Sequence, residues 1–531
     1  MMTERVLRTA GRAVLRSRLL TPPGPRGLLG VVREAARGRM NPFTLLAVSA
    51  ARWPNRTAMV DESGPISYRD LQSKTESLAI ELRRRGVEAG QAVGILCRNG
   101  RGFAEAVFAA ALVGADVVFL NTDFRAEALA AAVSTHEIRT VICDDEFADD
   151  ARAAGEDVTV IDPASIEARQ GVSRPKVAAP GRIILLTSGT TGTPKGVPRK
   201  PRIASALGIG VSILDRTGLR VGSRIAVAVP MFHGLGFGML ILTLGLGGTA
   251  LTLRRFDTEA TLAQASQCRA DAFTAVPVML ARILDLPEDV RARNPLPSLR
   301  VVISSGARLD PTLARRFMDA YGDSIYNGYG SSEVGIGALA TPADLREAPE
   351  TVGRPVAGCR VAILDEDGRE VGPDVTGRIF VGGDLTFDSY TSGGTKDVVG
   401  DMMDTGDMGY FDVKGRLFIV GREDDMIVSG GENVYPRAVE NALAEHPDVA
   451  DNAVIGVPDS DYGERLAAFV VPRPEAAIEE SAVREYLRDK VSRFEQPRDV
   501  KIVERIPRNP AGKVLRNDLE ASSADVRQDR K

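Results

Sequence analysis

Short apolar runs alternate with amphipathic stretches through residues 41–345. Ala92–Cys97, Asp116–Leu120, Thr140–Cys143, Ile183–Leu186, Arg224–Val229, Ala272–Ala275 and Arg300–Ser304 read as buried strands. Tyr68–Gly86, Ala104–Val113, Thr258–Gln267, Val278–Leu284 and Asp310–Tyr321 carry apolar residues at helical spacing, as Leu71, Leu78 and Leu82 show in the first. Strands alternating with helices predict a mostly parallel sheet under helical cover, so the class is α/β. The texture changes over 345–421. There, Gly353–Val356, Arg360–Leu364, Gly377–Val381 and Arg416–Val420 are short runs parted by Gly, Pro and Asp, the pattern of a small antiparallel barrel. After Gly421 it changes again. Helices at Pro436–Glu445 and Ser481–Lys490 and strands at Val449–Val457 and Leu466–Val471 predict a compact α+β module, with its boundary at Arg422–Asp425.

The apolar run at 183–186 delivers the chain into Thr187-Ser-Gly-Thr-Thr-Gly-Thr-Pro-Lys-Gly196. Glycines let backbone N–H groups approach an anion, while the hydroxyls and Lys195 add donors and charge. Such a loop suits a nucleotide's polyphosphate. It is not a Walker A loop, because Gly196 follows Lys195 where that motif needs Ser or Thr.

This loop resembles the phosphate loop of the adenylate-forming superfamily, the group of acyl-CoA synthetases, amino-acid adenylation domains and luciferases. Six further segments follow in that family's order. Ser305-Gly306-Ala307 resembles its adenine-edge turn. Tyr326-Asn-Gly-Tyr-Gly-Ser-Ser-Glu333 resembles its Tyr-Gly-x-Thr-Glu segment. The resemblance implies that Tyr329 stacks on adenine, that Asn327 and Gly330 border the nucleotide, that Ser332 donates to the α-phosphate and that Glu333 binds Mg²⁺. It also implies that Asp407, in Thr405-Gly-Asp407, accepts from both ribose hydroxyls and that Arg422 reaches the ribose or phosphate. Asp424 falls at the family's hinge position. Gly430 and Gly431 fall in the loop bordering the acceptor-thiol tunnel, and Lys513, in Pro507-Arg-Asn-Pro-Ala-Gly-Lys513, is the adenylation lysine. Thr187, Ser188, Gly189, Thr190, Thr191, Gly192 and Lys195 complete the expected nucleotide site.

The implied fold is a large N-terminal domain over 41–421, made of two parallel α/β subdomains and the barrel-like part. A small mobile domain over 422–531 follows. The implied reaction joins a carboxylic acid to AMP from ATP and Mg²⁺, then to the thiol of coenzyme A. A fatty-acyl-AMP ligase that loads a carrier protein is the rival within the family, and an idle nucleotide-binding regulator the rival outside it.

His233, in Pro230-Met-Phe-His-Gly234, is the titratable group beside the expected acyl pocket, with positioning favoured over a base role. Amino-acid-activating relatives usually carry Asp after that phenylalanine. A buried ammonium without a carboxylate is costly, so amino acids are excluded. Gly234, Gly236, Gly238 and Met239–Leu244 point to room for an aliphatic chain, with Phe237 as a wall. A medium- or long-chain fatty acid is the expected substrate, and an aryl acid the alternative.

Charge adds one feature. The formal net charge of −4 gives no general pull toward nucleic acid. Residues 1–40, however, hold nine arginines against two glutamates, a balance of +7 that leaves −11 on the rest. Val6, Leu7, Ala10, Val14 and Leu15 can share a helical face opposite Arg8, Arg12 and Arg16. This describes either a helix on anionic lipid at the inner face of the membrane or a docking helix. Four scattered cysteines read as reduced, mostly buried thiols of a cytoplasmic protein. No run reaches transmembrane length, the start lacks a secretory cleavage site and the end is no peroxisomal signal. The Arg- and Ala-rich composition resembles that of actinobacterial members.

Overall fold

The computed structural model describes residues 2–19, 25–37, 41–124, 126–168, 174–176, 180–187, 195–199, 203–331, 333–383, 396–423, 427–429, 432–434, 436–459, 463–474, 476–488, 490–491, 495–509, 512, 514–516 and 518–519. Two sheets build the large N-terminal part. In the first, Thr159–Ile161, Thr140–Cys143, Ala92–Leu96, Asp116–Phe119 and Ile183–Thr187 run parallel, and Lys195–Arg199 closes the edge antiparallel. In the second, Thr249–Leu251, Arg224–Val227, Ala272–Ala275, Val301–Ser304 and Ile325–Ser331 form the parallel centre. The predicted alternation is therefore present, and the strands are buried on both faces, as their unbroken apolar runs require.

The antiparallel strands expected as a barrel do not stand apart. Gly335–Ala340 and Thr351–Pro355 extend the second sheet, which passes directly into Leu417–Arg422, Met402–Phe411, Gly377–Gly383 and Cys359–Leu364. Strand Thr351–Pro355 is shared, so the nucleotide-side strands and the 377–422 strands are one hydrogen-bonded body. The C-terminal sheet pairs Ile427–Ser429, Glu432–Val434, Val449–Asp459 and Gly463–Pro472 antiparallel, with Asp499–Ile502 parallel.

Helix α1 (Met2–Ser17) lies on the helix Ile203–Thr217, and α2 (Pro25–Arg37) lies on α3 (Pro42–Arg52). Asn41 caps α3 through the Thr44 amide, and Pro42 presets its first turn. Arg12 pairs with Asp215 at 3.3 Å, and Arg16 reaches the Asp215 carbonyl at 3.2 Å. The docking-helix reading of α1 thus matches the structure. The expected split of its faces does not: Leu15 faces out, opposite Ala13 and Ser17, while Arg12 and Arg16 flank the docking seam.

The helix Arg101–Val113 is buried along its whole length after Gly102, and this includes Glu105. One Glu105 oxygen, Oε1, has no hydrogen-bond partner among the described residues, and burial raises the carboxyl to about 7. The group is protonated in the folded chain where it ionises in the unfolded one. Its contribution to stability therefore falls as pH rises from 4.5 through about 7. Glu105→Gln is expected to remove that fall and to raise the melting temperature on the alkaline side of neutrality. A lower melting temperature there would show that Lys74 and Arg101 hold a buried carboxylate instead.

Candidate active site

The two sheets meet along a cleft of about 2770 Å³. Register places it where the motifs predict. Thr187 pairs with Lys195 and Leu186 with Gly196, so the strands before and after the motif run antiparallel as neighbours. A Walker A loop leads into a helix instead. Val197, on the return strand, packs with Tyr329, Val334 and Val381, which sets that strand beside the 326–333 segment.

Ser305, Gly306, Ala307, Tyr329, Gly330, Glu333, Asp407 and Arg422 all line this cleft. Ser305 donates to the Gly328 carbonyl at 2.7 Å, which ties the turn after one strand to the next. Gly306 has φ +85°, a conformation glycine adopts freely. The Tyr329 hydroxyl donates to Asp407 Oδ2 at 2.6 Å, and Arg422 stands 3.7 Å from Asp407 Oδ1. Burial, then the Asp407 charge, push the tyrosine hydroxyl well up, so it stays a donor. Burial also raises the Asp407 carboxyl, against the Tyr329 bond and the Arg422 charge. An aromatic ring and an acceptor carboxylate are thereby fixed side by side, as a base and its ribose require. Asn327 is committed differently: its amide donates to the Thr351 carbonyl at 3.2 Å, holding the strand that carries Tyr329.

Ser188, Gly189, Thr190, Thr191, Gly192, Ser332, Asp424, Gly430, Gly431 and Lys513 lie outside the described residues. The neighbour of Lys513 does not. Gly512, at φ +79°, would place a Cβ 3.3 Å from Val276 and 3.4 Å from Val278, so the 507–515 turn sits against the cleft wall. Its amide donates to Asn509 at 2.8 Å, Arg508 donates to its carbonyl at 3.1 Å, and Arg508 pairs with Asp451 at 2.8 Å. Arg508, Asn509 and Gly512 are thereby bonded to one another and to Asp451.

Two cations lacked a sequence signal. Lys396 lines the cleft and donates to the Thr405 carbonyl at 2.7 Å. Arg437 follows the 427–436 motif directly and lines the cleft beside Arg308. Burial, then the Arg308 charge, lower Arg437 to about 10. Glu440 lies 3.8 Å from Arg308, and Asn441 donates to Glu350 at 2.6 Å. These contacts join the first C-terminal helix, Pro436–Ala444, to the rest of the molecule.

Among the described residues, no group of three or more His, Cys, Asp or Glu could hold a metal ion. A single carboxylate such as Glu333, which lines the cleft, fits a magnesium ion that arrives with a triphosphate and takes most of its ligands from phosphate and water.

His233 opens the helix Gly234–Gly245 and lines the cleft, with Nε2 buried and unpartnered among the described residues. Burial lowers its pKa to about 4. A histidine kept neutral in this way stabilises the fold fully above 6.5 and loses that contribution as pH falls toward about 4. It is too weakly basic to serve as the general base for a thiol near neutrality. His233→Gln is expected to flatten the acid side of the stability curve. No inflection near 6.5 is expected in the wild-type thioester rate; one that vanished in the variant would restore the base role.

Comparison with known proteins agrees with this geometry. The AMP-binding enzyme family matches residues 46–391, and the AMP-binding enzyme C-terminal domain matches 438–513. The chain belongs to the AMP-binding enzyme family. A 2-succinylbenzoate–CoA ligase of Bacillus cereus is 30% identical, over 88% of this chain and 95% of its own. A sulfoacetate–CoA ligase of Cupriavidus necator is 29% identical, over 90% and 96%. The o-succinylbenzoate CoA synthetase of Bacillus subtilis, solved with its acyl-adenylate intermediate, superposes with a TM-score of 0.79 at 26% identity, covering 90% of this chain and 97% of that one. Fatty-acid ligases are not among these relatives, so membership of the family carries the chemistry and leaves the acyl group to the pocket.

Proposed function

We propose that this chain is an AMP-forming acid–CoA ligase for an acid with an uncharged, apolar acyl group, foremost a medium- or long-chain fatty acid. ATP and the acid react first. A carboxylate oxygen attacks the α-phosphorus and pyrophosphate leaves. The sulfur of coenzyme A then attacks the acyl carbon, AMP leaves and the thiol proton is lost to solvent.

The first step needs no base, because a carboxylic acid is already ionised at neutral pH. Its demand is electrostatic, since an anion must meet a polyanion. Lys513, Lys195 and the hydroxyls of 187–191 answer that demand. Magnesium at Glu333 would neutralise phosphate charge. Tyr329 and Asp407 hold the nucleoside while His233 borders the carboxylate.

The wall of the cleft carries the acyl assignment. Every described wall residue from Ala13 to Leu246 is uncharged at neutral pH, and Leu45, Val48, Leu185, Phe237, Met239 and Leu242 give it hydrocarbon. The named relatives act on acids with a second acidic group, and no Lys or Arg stands among the described wall residues of 13–246 to pair it; the cations of the cleft, Arg282 and Arg316 among them, come later in the chain. Gly238 would point a Cβ into open space, whereas Gly236 lies against Pro230 and serves packing.

The test is to incubate the chain with ATP, Mg²⁺ and acids of graded chain length, aryl acids, 2-succinylbenzoate and sulfoacetate, with and without CoA. Acyl-CoA formation that is fastest with an apolar monocarboxylate is expected. Preference for a diacid would overturn the acyl assignment. Pyrophosphate without CoA-dependent thioester would favour carrier loading, and no turnover would favour the regulator.

A further inference from the structure

We propose that α1 and α2 form a docking face for an anionic lipid surface. The geometry of both helices is the starting point. In α1, Ala13 and Ser17 are fully buried against the body. At 100° per residue, Leu15 stands roughly opposite them. In α2, a Cβ at Gly30 would lie 3.1 Å from the Ala51 side chain of α3, and Glu34 pairs inward with Arg174 at 2.7 Å. Leu28 and Val32 stand roughly opposite that pair, with Leu29 beside them. The positions that face furthest from the protein are thus apolar. Leu15, Leu28, Leu29 and Val32 are 74%, 54%, 73% and 58% exposed. A solvated helix carries its polar residues at such positions.

Charge selects the occupant. Arg12, Arg16 and Arg33 are exposed on the same two helices, partly offset by Asp215 and Glu34. Residues 1–40 carry +7 against −11 on the remainder. An anionic surface attracts this face and repels the rest of the molecule, which fixes one orientation. A second copy would bring two +7 segments together across a two-fold interface. A nucleic acid would leave the leucines unused.

The placement has a functional side, which rests on the apolar-acid reading. Ala13 and Val14 of the same helix α1 line the cleft, as do Leu45, Val48 and Phe237. A lipid surface on Leu15 would lie one helix away from the acyl site.

Vesicle co-sedimentation of the full chain tests the docking independently of the substrate. Binding is expected to phosphatidylcholine vesicles containing phosphatidylglycerol, to weaken with salt, and to be much poorer on phosphatidylcholine alone. Leu29→Glu with Val32→Glu should lower partition at least tenfold, and Leu15→Glu should act in the same direction. Arg33→Ser should lower it about fivefold. All should keep the melting temperature and the thioester rate on soluble acid. Equal partition of wild type and the double variant, or no preference for the anionic vesicle, would overturn the proposal. So would a dimer in sedimentation velocity that the double variant dissociates, since the face would then belong to a second copy. Vesicle binding with no activity on apolar acids would leave docking intact and reject the acyl reading alone.

Discussion

Alanine at Lys513 is expected to slow acyl-adenylate formation ~10²–10³-fold, the usual effect of removing one preorganised group that stabilises developing charge. Transfer from preformed acyl-adenylate to CoA should change far less. The difference follows from where charge builds. In the first step a carboxylate meets a triphosphate, and negative charge spreads over the phosphoryl oxygens. In the second the leaving group is AMP alone. The neighbour of Lys513 in sequence, Gly512, sits against Val276 and Val278 on the cleft wall, and Arg508 pairs with Asp451. Rapid-quench release of pyrophosphate measures one step, and a chase of synthetic acyl-adenylate with CoA measures the other. Equal losses in both would place the lysine in general binding or in folding.

Alanine at Gly330 is expected to be worse for the protein as a whole. A Cβ there would lie 1.8 Å from the Gly335 carbonyl oxygen, a backbone atom that cannot move aside alone. Gly330 and Ser331 pair with Ile336 and Gly335 across a register shift, and this tight hairpin turns Glu333 and Tyr329 toward one cleft. Opening it costs at least about 2 kcal/mol, because overpacking against backbone displaces a whole turn. The melting temperature should drop, and the stabilisation that ATP gives to the wild type should shrink, since a ligand stabilises only the state it binds. An unchanged melting temperature with an unchanged ATP response would show that the hairpin relaxes freely and does not set the site.

Much of this was readable in the chain. The parallel strands were legible because each is a short apolar run buried on both faces. The nucleotide-side residues were legible because small residues and a few polar groups at 305–307, 326–333 and 405–407 stand out against the hydrocarbon of the neighbouring runs. Met239–Leu244 read as room for an aliphatic chain, and Met239, Ile241 and Leu242 line the cleft from the helix Gly234–Gly245. What was missed shares a cause. Lys396 and Arg437 carried no motif, and only the fold brings them to the cleft. Arg12 and Arg16 read as the face opposite the apolar one, with no sign of their partner, because Asp215 is some two hundred residues away in sequence. That the antiparallel strands after 350 continue the second sheet was not legible, because pairing of Thr351–Pro355 with two different neighbours leaves no mark on its composition.

The central claim is that these separated segments form one ATP site that makes a mixed anhydride before any thioester. Rapid quench of the chain with ATP, Mg²⁺ and an apolar acid, without CoA, measures it most directly by mass spectrometry. The account predicts acyl-adenylate and pyrophosphate in equal amounts, held by the protein, and their conversion to acyl-CoA and AMP when CoA is added. ADP and phosphate, or thioester formed with no prior acyl-adenylate, would contradict it.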